Sequence, residues 1–351
     1  MNTYSHLESI PLRIESYELQ KLEMNVSSDF TRVSTVVRLQ GGGAEGVGED
    51  VTYEADDQTL LQEAGPALPL AGTHTLSSFS GLLDEHDLFP KPPNSTAARE
   101  YRRWAFESAA LDLALRQAGR SLAQALGREV QPVRFVVSKR INVESGVGYL
   151  LKLRGQHDGL CFKLDPTSDW TEALIAEIAA IGAVEVLDFK GAYKGTIVDQ
   201  APDPVLYGRI AEAFPRAWLE DPALTDETCA VLEPHWDRVT WDAPIHSVGD
   251  IERLDPAPRA INIKPSRFGR LNEVFAAYDY CMSQGILLYG GGQFELGPGR
   301  GQIQYLASLF HSDAPNDVAP GGYHEPEPPP DTPSSPLVPA AADTGFTWET
   351  A

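Results

Sequence analysis

Residues 159–190 read GLCFKLDPTSDWTEALIAEIAAIGAVEVLDFK, and the division of this stretch decides the fold. A short apolar run over 160–164 meets charge at Asp165. A segment of helical length, 171–182, carries an Ala/Leu/Ile stripe and stops at glycine. A second apolar run then meets charge at Asp188, so the stretch reads strand, helix, strand. The unit recurs on both sides. VRFVVSKRI, PRAWLEDP, RVTWDAPI, RAINIKP and GILLYGG are further apolar runs with polar ends, separated by helix-length segments such as PVLYGRIAEAF and LNEVFAAYDYCMSQG. Seven strands are legible, and an eighth is expected near LASLF or later. Strands apolar enough to be covered on both faces belong to parallel sheets. Their number, and the lack of GxGxxG after the first of them, favours a barrel over an open Rossmann-like sheet.

Toward the N-terminus the texture changes. LRIESYELQKLEM alternates, and TRVSTVVRLQGGGAEGVGED reads as two strands around a glycine turn. STAAREYRRWAFESAALDLALRQAG reads as a Ser/Thr-capped helix stopped at Gly119. The expectation is an α/β protein: an N-terminal α+β capping domain with a linking helix over 1–130, and a modified (β/α) TIM-type barrel over 131–320. A proline-rich segment fills 321–351. Eight prolines between Pro320 and Pro339 read as a linker or disorder, whereas Leu337, Val338, Phe346 and Trp348 read as anchors for a segment packing back on the body.

Composition limits the partners. In 351 residues, 28 basic side chains face 50 acidic ones, a net charge of −22. Such a chain is repelled by phosphate backbones, which argues against nucleic acid. A hydrophobic content of 42% is enough for a sizeable core. No stretch approaches the roughly 18 apolar residues of a membrane span, and the first residues do not resemble a signal peptide. Cys161, Cys229 and Cys281 have no metal-like spacing and read as isolated thiols of a reducing, cytoplasmic compartment.

In a barrel the chemistry lies at the carboxyl ends of the strands. Here the second strand ends in Lys163-Leu164-Asp165, the third in Asp188-Phe189-Lys190, the fourth in Glu220-Asp221, the fifth in Asp242 and the sixth in Lys264. A lone acidic strand end is usually a solvated loop. Three on successive strands roughly 5 Å apart repel one another unless a cation intervenes, and an all-oxygen set favours Mg²⁺, with Mn²⁺ as substitute, over zinc. His246, His311 and His324 are isolated and no HExxH occurs, which counts against a histidine-based hydrolase.

The order of these strand ends resembles the enolase superfamily, in particular its muconate cycloisomerase and o-succinylbenzoate synthase branch. GVGED is similar to the G-x-G-E of its cap, and FKLD, LDFKG, WLEDP, TWDAP and INIKPSRFG are similar to its strand ends. The resemblance implies Asp188, Glu220 and Asp242 as Mg²⁺ ligands, Lys264 as the acid/base lysine and Lys163 beside the substrate carboxylate. It implies substrate contacts from Asp29–Arg32 and Val51–Glu54, a small carboxylate as substrate, and a possible homo-oligomer. It also exposes two departures: the second lysine of the family's K-x-K is Asp165, and the usual asparagine two residues after the first metal aspartate is Lys190. If the strand continues, alternation puts Lys190 on the side of Asp188, where it would form an ion pair with Asp165.

The chemistry implied is removal of a proton α to a carboxylate by a lysine beside a metal ion. With one lysine intact, β-elimination or cycloisomerisation is favoured, since a single base can return the proton to the leaving group. The alternatives are a racemase or epimerase using Lys264 with a relocated partner, Lys190 or Lys163, and a metal-binding barrel without efficient turnover. Arg32 and Arg267 are candidates for a second polar group of the substrate, and Phe268, Phe294 and Tyr289 for an apolar wall.

Overall fold

Two antiparallel sheets begin the computed structural model, which describes residues 2–26, 30–196, 198–325 and 327–348. β1 (Pro11–Ile14) pairs with the later β5 (Gly72–Thr75), while β2 (Ser16–Val26), β3 (Phe30–Gly41) and β4 (Ala44–Asp50) form a three-stranded sheet in that order. The β3–β4 reversal runs through Gly42 and Gly43, at φ 58° and 76°, a conformation in which a side chain is strained. The helix Ala98–Gln117 lies across this sheet, buried along nearly all of its length. Its close approach depends on β4: a Cβ on Gly48 would stand 2.1 Å from the Ala105 carbonyl oxygen, and one on Gly46 2.3 Å from the Leu113 nitrogen. The expected Ser/Thr cap is not formed. The N-cap is Ala97, with no side-chain hydrogen bond.

Seven parallel strands follow in consecutive order: β6 (Val136–Lys139), β7 (Cys161–Leu164), β8 (Val184–Asp188), β9 (Trp218–Glu220), β10 (Val239–Trp241), β11 (Ala260–Ile263) and β12 (Leu287–Gly290). Each is short and largely buried and is joined to the next by a helical crossover, as parallel strands require. The eighth position is not LASLF, which belongs to the helix Pro298–Phe310. Instead Asn316 bridges Phe135 beside β6, and Asp317 bridges Gly291 beyond β12, both in parallel sense. A two-residue link thus spans the first and last strands of a modified TIM-type barrel.

The cap is fastened over the mouth of this barrel. Glu49, at the end of the G-x-G-E run, is buried and accepts hydrogen bonds from the backbone N–H groups of Leu296 (2.6 Å), Gly297 (2.9 Å) and Gly299 (3.1 Å). Arg32 donates to the carbonyls of Val51 and Thr52 in the cap (2.7 Å each) and of Gln293 (3.1 Å) and Phe294 (3.2 Å) beyond β12.

The proline-rich segment lies against the body. Leu337 exchanges backbone hydrogen bonds with Val133, and the Phe346 ring meets Trp104 of the long helix and Tyr305 of the helix Pro298–Phe310. Among the described residues no helix is long and apolar enough to cross a membrane. The three cysteines are free thiols.

Candidate active site

Asp188 closes β8 and Glu220 closes β9, paired in register, and Asp242 directly follows β10. One carboxylate oxygen from each lies within 4.8 Å of the other two, and all three side chains are buried. Parallel strands in register carry their last inward residues to the same level, which is why three positions far apart in sequence converge.

Each of these carboxylates meets a cation. Lys163 on β7 donates to Glu220 in a short contact and lies 3.2 Å from Asp188 and 3.5 Å from Asp317. The Lys190 ammonium rests on Asp188 Oδ2 in another short contact, while its backbone N–H donates to Asp188 Oδ1 at 3.0 Å. Lys264, directly after β11, donates to Asp242 Oδ2 at 2.9 Å. Arg267 grips the same carboxylate with two donors, at 2.8 and 3.2 Å, and Tyr193 adds a third group at 3.1 Å. Tyr289 on β12 donates to Glu220 Oε2 at 2.6 Å.

Six carboxyl groups crowd this mouth, Asp165, Asp188, Glu220, Asp221, Asp242 and Asp317, and outnumber the four cations Lys163, Lys190, Lys264 and Arg267. A hard divalent ion would relieve that crowding. Converging buried oxygens are its preferred donors, and an ammonium already bridges two of them. The residues present therefore fit a divalent cation.

Proton affinities follow the same imbalance. Burial favours the neutral acid at Asp188, but Lys190 and Lys163 outweigh it and hold the carboxyl well below its ordinary range. Arg267 and Lys264 do the same against burial at Asp242. At Glu220 burial prevails over Lys163 and pushes the carboxyl well up. Burial, with Asp242 and Asp188 close by, pushes Asp221 up to about 7. Burial lowers the Lys264 ammonium despite Asp242. It would lower Lys163 and Lys190 too, but the carboxylates around them raise both well above the ordinary lysine value.

The residues expected at this mouth are brought together: Lys163, Asp165, Asp188, Lys190, Glu220, Asp242 and Lys264. The Asp165–Lys190 ion pair is present at 3.7 Å, but strand alternation does not produce it. β8 ends at Asp188, and Lys190 reaches the triad through a left-handed backbone, φ 56°. Among the described residues, the other non-glycine positions with positive φ are Asp221 and Phe294, also at strand ends or in the loop beyond β12.

Several secondary expectations are corrected. Arg32 and Arg267 do not offer free guanidinium groups to a substrate: the first is engaged by four carbonyls, the second by Asp242 and Tyr193. Tyr289 is a hydrogen-bond donor to Glu220 rather than an apolar wall. Asp29 lies outside the described residues. Sequence reading missed Tyr193, Asp317 and Asn262, and named Asp221 only as the neighbour of Glu220 at the strand end. Asn262 stands two residues before Lys264 on β11, its side-chain amide buried without a hydrogen-bond partner among the described residues. Period-two reading back from Lys264 identifies it. Asp317 sits in a link too short to carry a strand pattern.

The family described as Domain of unknown function (DUF8230) matches with its N-terminal domain over residues 5–125 and its C-terminal domain over residues 129–325. The chain is 26% identical to the N-succinylamino acid racemase of Thermus thermophilus, over 88% of this chain and 86% of that protein. It is 27% identical to the o-succinylbenzoate synthase of Geobacillus stearothermophilus, over 89% and 86%. A crystal structure of an unknown member of the enolase superfamily from Enterococcus faecalis V583 superposes with a TM-score of 0.65 at 20% identity, covering 87% of this chain and 86% of that one. Both family models together span nearly the whole chain, whose fold is that of the enolase-superfamily structure it superposes on: the chain belongs to the DUF8230 family.

Proposed function

We propose that this protein binds Mg²⁺, with Mn²⁺ as a substitute, at Asp188, Glu220 and Asp242 and removes a proton α to the carboxylate of a small organic acid, leading to β-elimination or cycloisomerisation. The observation that carries this reading is the convergence of the three buried carboxylates, within 4.8 Å, beside Lys264. Bound there, the cation supplies positive charge where an enolate's negative charge collects. The remaining work belongs to the chain. Lys264 Nζ takes the proton and returns it to the leaving group, and Asp242 and Arg267 fix its position. Lys163 stands as a second positive charge for the substrate carboxylate. The fastenings at Glu49 and Arg32 hold the cap over the mouth and exclude water. Free thiols at Cys161, Cys229 and Cys281 favour a reducing cytoplasm as the place of action.

A racemase or epimerase reading has one observation in its favour. Lys190 lies on the β8 side of the triad and Lys264 on the β11 side, so two ammonium groups flank it, and one relative is named a racemase. Both readings are tested by solvent deuterium exchange at the α-carbon, followed by NMR over a panel of small carboxylic acids including N-succinylated amino acids. Lys264→Ala is expected to abolish exchange; exchange at the wild-type rate in that variant refutes the role of Lys264. Exchange with inversion, lost in Lys190→Ala, selects the racemase. Cation binding with no exchange in any acid leaves a binding protein.

A further inference from the structure

The two departures from the family pattern are neighbours in space. Lys190 Nζ is in contact with Asp188 Oδ2 and is 3.7 Å from Asp165 Oδ1. That Asp165 oxygen is buried and has no hydrogen-bond partner among the described residues. Lys190 also occupies the other Asp188 oxygen, through its backbone N–H. Lys190, which stands where a neutral side chain is expected, therefore engages both oxygens of Asp188, while Lys163 lies 3.2 Å from Oδ2 as well. A divalent ion and an ammonium cannot share Asp188 Oδ2 at close range, because two unit charges or more would meet inside a low-dielectric site. The ammonium has a short path away: rotation about its own side-chain bonds would carry it from Asp188 onto the Asp165 oxygen that it already faces at 3.7 Å and that holds no hydrogen bond among the described residues.

We propose that Asp165 is the receiving site for the Lys190 ammonium, so that loading a divalent cation onto Asp188 is an exchange of cations in which Lys190 moves from Asp188 to Asp165. Lys190 acts as a resident competitor that occupies Asp188 before the cation arrives. Asp165 acts as a positioning residue that keeps the displaced ammonium paired. The exchange accounts for both departures together: a lysine introduced on the third strand requires an acid on the second. The inference rests on the reading of the triad as a cation site.

The test is direct binding of Mn²⁺ to the full chain, measured by loss of the free-ion EPR signal, in a double-mutant cycle. Asparagine adopts the left-handed backbone of position 190 readily, and K190N is expected to tighten Mn²⁺ binding by about tenfold through loss of the competitor. K190G suits the same backbone and has no amide to ligate the ion, so it should show the same gain. D165N is expected to weaken binding by about tenfold in the wild-type background and by no more than about twofold in K190N. An equal D165N effect in both backgrounds would mean that Asp165 acts only as a remote negative charge, and the proposal fails. It also fails if neither variant at position 190 tightens binding. Far-UV circular dichroism and melting temperature verify folding of each variant. E220Q tests the underlying reading: if wild-type, K190N and E220Q chains bind Mn²⁺ alike or not at all, the cation site itself is refuted and the exchange with it.

Discussion

His311 shows how one side chain in this protein records its surroundings. It is buried between the Tyr278 hydroxyl (3.2 Å) and Asn316 Oδ1 (2.6 Å), and burial holds its imidazole at about 4, below the ordinary 6.5. Between those values the unfolded chain binds a proton that the folded chain refuses. The stability it contributes is whole above pH 6.5 and is lost as pH falls toward 4, a change of roughly 3 kcal/mol at about 1.4 kcal/mol per unit. Urea unfolding at pH 7 and pH 4.5 should show a steeper loss in the wild type than in His311→Gln; parallel losses would contradict the assignment. The acidic and basic strand ends were legible because each interrupts an apolar run. Tyr193 was not, since its role depends on a loop whose course no periodicity records. Arg32 and Arg267 were misread because a sequence shows that an arginine is present but not which acceptors already hold it.

Elements here were predicted best where packing agrees with pattern. β6 to β12 are only three to five residues long, yet burial on both faces makes them near-continuous apolar runs. The eighth position fails this test: Asn316 and Asp317 make single bridges and carry no apolar run. The cap of the long helix was also misplaced, because Ser95 and Thr96 precede a chain that enters the helix at Ala97. The sheet–helix contact in the cap gives a paired prediction. Gly48→Ala drives a methyl group against the Ala105 carbonyl and should destabilise the fold by about 1–3 kcal/mol. Gly81→Ala, inside the helix Leu76–Asp84 with nothing within 4 Å of the new Cβ, should stabilise it by about 0.5–1 kcal/mol. Denaturant midpoints of the two variants should move in opposite directions, and a shared direction would refute the packing argument.

For the molecule as a whole, the segment around Phe346 joins the cap helix to the barrel. Phe346 is fully buried between Trp104 and Tyr305, and its backbone N–H donates to Asp112 Oδ1 at 2.7 Å. Phe346→Ala should destabilise the protein by about 3–5 kcal/mol, read as a lowered thermal midpoint; an unchanged midpoint would show that the segment is dispensable. Proline content alone pointed to a linker, and the aromatic anchors were the better signal. The net charge of −22 likewise changes meaning with scale. Most of it is surface, but part of the acidic excess is gathered in the barrel mouth, where Asp188, Glu220 and Asp242 meet. The most direct test of a cation-assisted proton abstraction there is α-deuterium incorporation from D₂O, measured with Mg²⁺ and again after its removal by EDTA. The account predicts incorporation only with Mg²⁺, restored on re-addition and absent in Glu220→Gln. Incorporation that survives EDTA and the Glu220→Gln substitution would contradict it.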